Sequence, residues 1–374
     1  MRPRLLRCAL LHAAVGALAP TRRQLLHTGE SGLFAAPTRR QLLAGGAAGL
    51  IAAPLRVDAA PAIPTWDLGN GARMPTLALN TVGLDAASTE RAVLAALETG
   101  IGHVDFHPDK ERDGVAAALK RVPRSSLFLT TKVRSQQNDP SVAPAKAADL
   151  ARKQLEDDRS ILGVDKVDMW LLRDSPNCDV MRAQWAVLEE ARDAGKVGSI
   201  GLVNYCEKQL SCLLETARIT PAVNYYYLHV GQGPDAGGLR SFGEKRGVRT
   251  FAYGACGEAG PSASLLSSDA VQRAATAHGV APEAVCVRWL TQNGAAVSAR
   301  PTLEFALGAS ACKGDGTCAA GLKSRAESFG FTLSRAEMAA LDAVDADAQP
   351  GALFSRACNP DLFTGNARDP LRRS

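Results

Sequence analysis

The sequence predicts an α/β protein, a (β/α)8 TIM barrel with a short N-terminal hairpin, and three observations carry that prediction. Eight short apolar runs of strand length recur between residues 76 and 300. Segments with apolar residues at helical spacing lie between them, so strand and helix alternate. No G-x-G-x-x-G follows the first run, which argues against an open dinucleotide-binding sheet. Alternation implies parallel strands, and eight such units close into a barrel.

The elements follow in order. Trp66–Leu68 and Ala72–Met74 flank Asn70-Gly71, a dipeptide that supplies the positive φ of a tight hairpin turn. Strands are predicted at Thr76–Val82, His103–Phe106, Ser126–Val133 and Val167–Arg173. Four more are predicted at Ser199–Asn204, Ala222–Tyr227, Val248–Gly254 and Ala295–Arg300. Helices are predicted at Thr89–Glu98, Ala143–Leu162, Met181–Ala194 and Glu207–Ala217. Asp85 and Ser88 are the candidate N-caps of the first helix, and Gly100 and Gly195 sit where left-handed caps are wanted.

The whole chain of 374 residues carries a formal charge of +5, but residues 1–60 alone carry +6 and the remainder −1. A near-neutral body without a Lys/Arg tract offers nucleic acid no footprint. Residues 1–60 are read as a cleaved targeting leader, 61–348 as the barrel and 349–374 as a C-terminal segment. Met1–Arg7 is basic, Cys8–Ala19 is apolar but short, and A-P-T-R-R-Q-L-L occurs at Ala19–Leu26 and again at Ala36–Leu43. Thr38-Arg39-Arg40 resembles a twin-arginine signal. Stacked in this way, the signals look like a transit peptide for the chloroplast and its thylakoid lumen; bacterial periplasmic export is the alternative. No run after residue 60 is apolar for long enough to span a membrane as a helix, so the mature protein is expected to be soluble.

Seven strings carry a family resemblance. They are G-I-G-H-V-D-F at Gly100–Phe106, L-F-L-T-T-K-V at Leu127–Val133 and V-D-M-W-L-L-R-D-S-P at Val167–Pro176. G-K-V-G-S-I-G-L-V-N at Gly195–Asn204, P-A-V-N-Y-Y-Y-L-H-V at Pro221–Val230, V-R-T-F-A-Y-G-A-C-G at Val248–Gly257 and the run His278–Arg300 complete the set. In that order they resemble the aldo-keto reductase family over roughly residues 65–345. The resemblance implies an NADP-linked barrel that reduces carbonyls, with a Tyr proton donor, a Lys, an Asp and a His.

Asp105 and Lys132 stand at the Asp and Lys positions that the resemblance implies. The Tyr position falls on Lys110 or Glu111 in D-F-H-P-D-K-E, and the His position on Arg173. Arg173 cannot act as an acid, but it can bind a carboxylate, polarise a carbonyl or pair with Asp174. His107 is the nearby group able to replace the Tyr, and the alternative is a solvated loop residue. His103 and His229 are read as structural. Lys110, Lys132 and Arg173 together imply a cationic mouth and an anionic small-molecule substrate.

The resemblance further implies cofactor contacts from Asn204, Tyr225, Tyr253, Gly254 and Arg300. Arg300 stands where the family's Lys faces the 2′-phosphate, and no Arg or Asn contact follows within ten residues, so weakened NADP binding is expected. No Cys/His cluster has metal-ligand spacing, and no metal is expected. Cys312 and Cys318 can close a disulfide or remain thiols, and Cys206 and Cys212 fall on different faces of one helix. The function expected is an NADP-linked oxidoreductase acting on a small carbonyl or alcohol through a remodelled, divergent active site. The alternative is an inactive barrel that binds a ligand or a protein partner.

Overall fold

The computed structural model describes residues 61–345 apart from 70, 135, 137, 138, 140, 259–261, 304–311, 313 and 315, together with Cys358. The chain divides into units of residues 1–57 and 58–374, and every described residue belongs to the second. Residues 1–60 and, apart from Cys358, residues 349–374 lie outside the described residues, and with them the expected leader and C-terminal segment.

Strands β1 (Thr65–Asp67) and β2 (Arg73–Pro75) form the antiparallel hairpin. Eight strands then close a parallel barrel: β3 (Leu77–Asn80), β4 (His103–Asp105), β5 (Phe128–Lys132), β6 (Val167–Arg173), β7 (Val197–Val203), β8 (Val223–Tyr227), β9 (Arg249–Tyr253) and β10 (Ala296–Ala299). Pairing follows chain order, and β10 joins β9 to β3. Each predicted strand is present. Four are one or two residues shorter, two are three residues shorter, β6 matches its predicted run, and β7 starts two residues earlier than the apolar run.

The helices are α1 (Ala86–Glu98), α2 (Lys110–Leu119), α3 (Pro144–Leu162), α4 (Cys178–Asp193), α5 (Glu207–Leu214) and α6 (Leu239–Glu244). They continue with α7 (Ser262–Leu266), α8 (Asp269–His278), α9 (Pro282–Gln292), α10 (Thr317–Ala326) and α11 (Arg335–Asp342). Asp85 caps α1 by accepting from the Ser88 backbone at 2.7 Å, whereas Ser88 is itself buried within the helix. Gly100 and Gly195 adopt positive φ at the expected positions.

Strand alternation sorts the core into layers. Ala78, Met169, Leu171, Val223 and Phe251 face the barrel interior together with Met74 of the hairpin. Leu77, Leu79, Trp170 and Leu172 face the helical layer instead. The hairpin covers the N-terminal ends of the strands, where Arg249 at the start of β9 bonds the Asp67 carbonyl at 3.1 Å. The opposite mouth is left to the loops that carry the candidate site.

Helices α1 and α2 approach closely at Gly114. A Cβ there would lie 2.4 Å from the Ala86 carbonyl oxygen and 2.5 Å from Thr89 Cβ. Alanine's helix propensity would add about 1 kcal/mol, but overpacking costs about 1–3 kcal/mol. Gly114→Ala is therefore expected to lower stability, read as an earlier urea midpoint at unchanged m-value.

Candidate active site

Asp105 ends β4 and Lys132 ends the neighbouring β5; both are fully buried, and the Lys132 ammonium bonds Asp105 Oδ1 directly. Lys132 Nζ also reaches the Phe106 carbonyl at 3.3 Å. Asp105 Oδ2 accepts from the Tyr225 hydroxyl at 2.6 Å and from Ser298 Oγ at 2.7 Å. Asn80 Nδ2 donates to that same Tyr225 oxygen at 3.0 Å. Burial alone would raise the Asp105 pKa, but the adjacent ammonium and its hydrogen bonds hold the carboxyl below its usual range. Burial draws the Lys132 pKa down against the pull of Asp105. The exit of β5 is fixed by α3, whose Gln154 donates to the Lys132 carbonyl at 2.9 Å and accepts from the Arg134 backbone at 2.8 Å.

The two candidates for the Tyr position part company. Lys110 is exposed at the start of α2, while Glu111 turns inward and is buried. Glu111 Oε2 accepts from the His107 backbone at 2.9 Å, His107 Nδ1 at 3.0 Å and Thr81 Oγ1 at 2.8 Å. Its Oε1 accepts from the Gly83 backbone at 3.0 Å. Burial would raise the Glu111 pKa, and His107 is the main influence that brings it down. The next residue, Arg112, anchors α2 to α3 through Asp158 at 2.8 Å.

His107 keeps 22% of its side chain exposed. Its pKa is lowered first by burial and then by Lys132, with Arg173 adding to the effect against Glu111. Arg173 closes β6 half-buried, and it forms no ion pair with Asp174 or any other described residue. His103 is locked in the core between the Pro75 carbonyl at 2.8 Å and Thr130 Oγ1 at 2.7 Å, with its pKa lowered to about 4 by burial. His229 is also buried, with Nδ1 on the Val230 carbonyl.

The residues expected to bind the cofactor lie on β8 and β9 or just after β7, β9 and β10. Asn204 follows β7 with φ +61° and accepts from the Tyr253 hydroxyl at 2.9 Å. The Tyr225 and Tyr253 ring centroids lie 4.8 Å apart. The Tyr225 hydroxyl, however, is turned toward Asp105 rather than displayed for a ligand. Gly254 has φ +73°, and a Cβ there would lie 2.2 Å from the Tyr227 ring, so a larger residue cannot share the position with Tyr227. Arg300 follows β10 and is buried; burial lowers its pKa while Glu258 opposes.

Arg325, which no sequence pattern singles out, lies beside this end of the barrel. A Cβ on Gly321 of α10 would lie 1.8 Å from the Pro301 carbonyl oxygen, so α10 packs directly against the residue after Arg300. The buried Arg325 bonds back to the Gly321 carbonyl at 3.2 Å, and its Nε and Nη2 have no hydrogen-bond partner among the described residues.

Cys312 and Cys318 are joined, the first of the two states their spacing allows. Cys206 and Cys212 are not joined to each other: Cys206 bonds Cys358, and Cys212 bonds Cys178. Cys256 and Cys286 are buried and free. Among the described residues no cluster of His, Cys, Asp or Glu could hold a metal ion, and no helix is long and apolar enough to cross a membrane.

The sequence profile of the Aldo/keto reductase family matches residues 65–346. The chain belongs to this family. An aldo-keto reductase of Mycolicibacterium vanbaalenii is 31% identical over 82% of this chain and 99% of its own length. The 2,5-diketo-D-gluconic acid reductase B of a Corynebacterium species is 33% identical over 63% of this chain and 81% of its own. In fold, the chain resembles a Bombyx mori aldo-keto reductase solved in complex with NADP, with a TM-score of 0.63 at 20% identity over 75% of this chain and 92% of that one. A deep-sea metagenome aldo-keto reductase gives a TM-score of 0.64 at 23% identity, covering 76% and 96%.

These relatives correct the expected address. They include mycobacterial and other bacterial aldo-keto reductases, not chloroplast proteins, and the plastid reading falls, with the export alternative attached to it. A basic, acid-poor, Ala- and Leu-rich stretch is a compositional trait, and composition does not specify a destination.

Replacing Asp105 by Asn keeps an oxygen for Tyr225 and Ser298 but leaves the Lys132 ammonium buried without its partner. Asp105→Asn is expected to cost about 3–5 kcal/mol in urea unfolding at neutral pH. Because the folded Asp105 pKa is depressed, its contribution is complete above the unfolded value of about 3.9 and is lost as pH falls through the folded value. The gap between wild type and variant should therefore close in acid.

Proposed function

We propose that the protein is an NADP(H)-linked oxidoreductase that interconverts a carbonyl and an alcohol on a small carboxylate-bearing substrate at a remodelled site. The observation that carries this reading is the buried Asp105–Lys132 pair at the ends of adjacent strands, on the barrel face that also presents Asn204 and Tyr253. A bound nicotinamide dinucleotide supplies hydride exchange. Tyr253 would stack on its ring and Asn204 would hold its carboxamide.

The N–H groups of Arg325 that lack a partner among the described residues support the cofactor assignment. Buried guanidinium donors without partners are costly, and a phosphate satisfies them through charge-assisted bonds. Arg300 and Arg325 together would face the 2′-phosphate, which removes the ground on which weakened NADP binding was expected. The Arg173 guanidinium, unpaired among the described residues, favours a carboxylate on the substrate. The Corynebacterium relative is named for such a compound, a diketo acid.

One observation favours the second reading, an inactive barrel that binds a ligand or partner. Asp105 is fully committed to Lys132, Tyr225 and Ser298, and none of the ion pair is exposed. Such a cluster can serve stability alone.

Fluorescence titration with NADPH and NADH separates the cases. NADPH should saturate, and Arg300→Ala and Arg325→Ala should each weaken it about 10- to 100-fold, the worth of one charged hydrogen bond, with little effect on NADH. Absence of NADPH binding at millimolar concentration would overturn the reading. Tight binding without reduction of any 2-keto, 5-keto or 2,5-diketo acid would favour the binding protein.

A further inference from the structure

We propose that His107 and Glu111 form the acid–base dyad of this site, with His107 Nε2 exchanging the substrate proton and Glu111 positioning the ring. The inference rests on the oxidoreductase reading above. It supplies the proton-transferring group that the absent Tyr leaves open.

Two bonds from one residue hold His107. Glu111 Oε2 accepts from both its backbone N–H and its Nδ1, at 2.9 and 3.0 Å. A neutral imidazole that donates from Nδ1 carries its lone pair on Nε2. No described residue bonds Nε2, and the partly exposed ring leaves it within reach of the barrel mouth. Glu111 is itself fixed by Thr81 and Gly83 on the β3–α1 connection, and its helix is anchored to α3 through Arg112 and Asp158. The ring is thereby oriented from three elements.

Tyr225 is the competing proton donor, and the geometry disfavours it. Its hydrogen is engaged by Asp105 and its oxygen by Asn80. Burial, reinforced by the Asp105 carboxylate, pushes its pKa well above the ordinary phenol value. A phenol in that setting gives up its proton reluctantly.

The charges around His107 set the direction it favours. Lys132 and Arg173 disfavour the imidazolium, Glu111 and Asp105 favour it, and burial tips the sum toward the neutral ring. A ring that rests neutral accepts a proton when an alcohol is oxidised, and as the imidazolium it returns that proton in the reverse reduction. The O–H proton would pass to Nε2 as the carbon–oxygen double bond forms, and a bound oxidised nicotinamide dinucleotide would supply the acceptor for the C–H electron pair and its hydrogen. The Glu111 carboxylate stabilises the imidazolium that results.

The test has two arms on the full chain. In long-range 1H–15N NMR, the imidazole signal lost in His107→Asn should report the Nδ1–H tautomer and titrate with a midpoint below about 6.5, the unperturbed histidine value. Glu111→Gln should mix the tautomers and lower the midpoint further. A His107 ring protonated at Nε2 in its neutral form, or unmoved by Glu111→Gln, overturns the dyad whether or not the protein turns over.

In the second arm, lactate, glycolate and 3-hydroxybutyrate are offered with NADP+. Oxidation should rise with pH through the midpoint seen by NMR. It should fall about 100-fold or more in His107→Asn, whereas Tyr225→Phe should keep the pH dependence set by His107. Loss in Tyr225→Phe with retention in His107→Asn overturns the proposal. A dyad confirmed by NMR without turnover or NADPH binding would count against the oxidoreductase reading and leave the His107–Glu111 pairing standing.

Discussion

The Asp105 carboxylate is the constraint on which the mouth of this barrel depends. Two ions are withdrawn from water at the ends of β4 and β5, at a desolvation penalty of several kcal/mol each. Such a pair is tolerable only when its geometry is good and its remaining hydrogen-bonding capacity is met. Lys132 takes one oxygen, while Tyr225 of β8 and Ser298 of β10 take the other. Asn80 of β3 completes the set through the Tyr225 hydroxyl. Five of the eight strands meet on one charge. The closure of β10 against β3 and the shaping of the site are therefore the same event, and a change at the carboxylate is felt in both.

The disulfides constrain the chain around the same mouth. Cys178–Cys212 ties α4 to α5, and Cys206–Cys358 joins the N-cap of α5 to a residue 152 positions further on. In the chain-entropy account, such closures disfavour the unfolded ensemble by about 4 and 5 kcal/mol respectively. Helix α5 begins just after Asn204, which holds a left-handed backbone at φ +61°. Two covalent ties beside that residue help keep a strained conformation in place.

The barrel was legible because buried parallel strands read as continuous apolar runs, and the eight runs survive with small changes at their ends. Asp105 and Lys132 were legible for a related reason: each stands at a strand end, where position along the chain fixes position in space. The departures lie where that link fails. In the loop from Asp105 to α2, spacing does not decide between Lys110 and Glu111, and the structure separates them only by burial, Lys110 exposed and Glu111 buried. Tyr225 stands on a strand as expected, yet its ring is long enough to reach an acid 120 positions earlier, a contact that no local pattern contains. Arg325 is carried by α10, whose packing on Pro301 depends on a glycine at 321 rather than on distance from Arg300. Cys312 and Cys318, six apart, were readable as a pair, while the two longer disulfides belong to a connectivity that sequence does not determine.

The positions where the resemblance places a Tyr and a His carry other residues, yet a phenol and an imidazole remain near the Asp105–Lys132 pair. A phenol is still bonded to the Asp beside the Lys, but it comes from β8 and is turned inward, where it satisfies the carboxylate. An imidazole is still at the mouth, but it comes from the loop after β4 and is held by a glutamate. The two roles are distinguished by what each group has left to give. Tyr225 has both its donor and its acceptor occupied, and burial beside a carboxylate opposes its ionisation. His107 has one nitrogen committed to Glu111 and the other unbonded among the described residues. A group with no hydrogen-bonding capacity to spare can shape a site, whereas one with an open, titratable nitrogen can act in it. The residues thus divide by available valence: Tyr225 has none to spare, and His107 keeps one nitrogen open among the described residues.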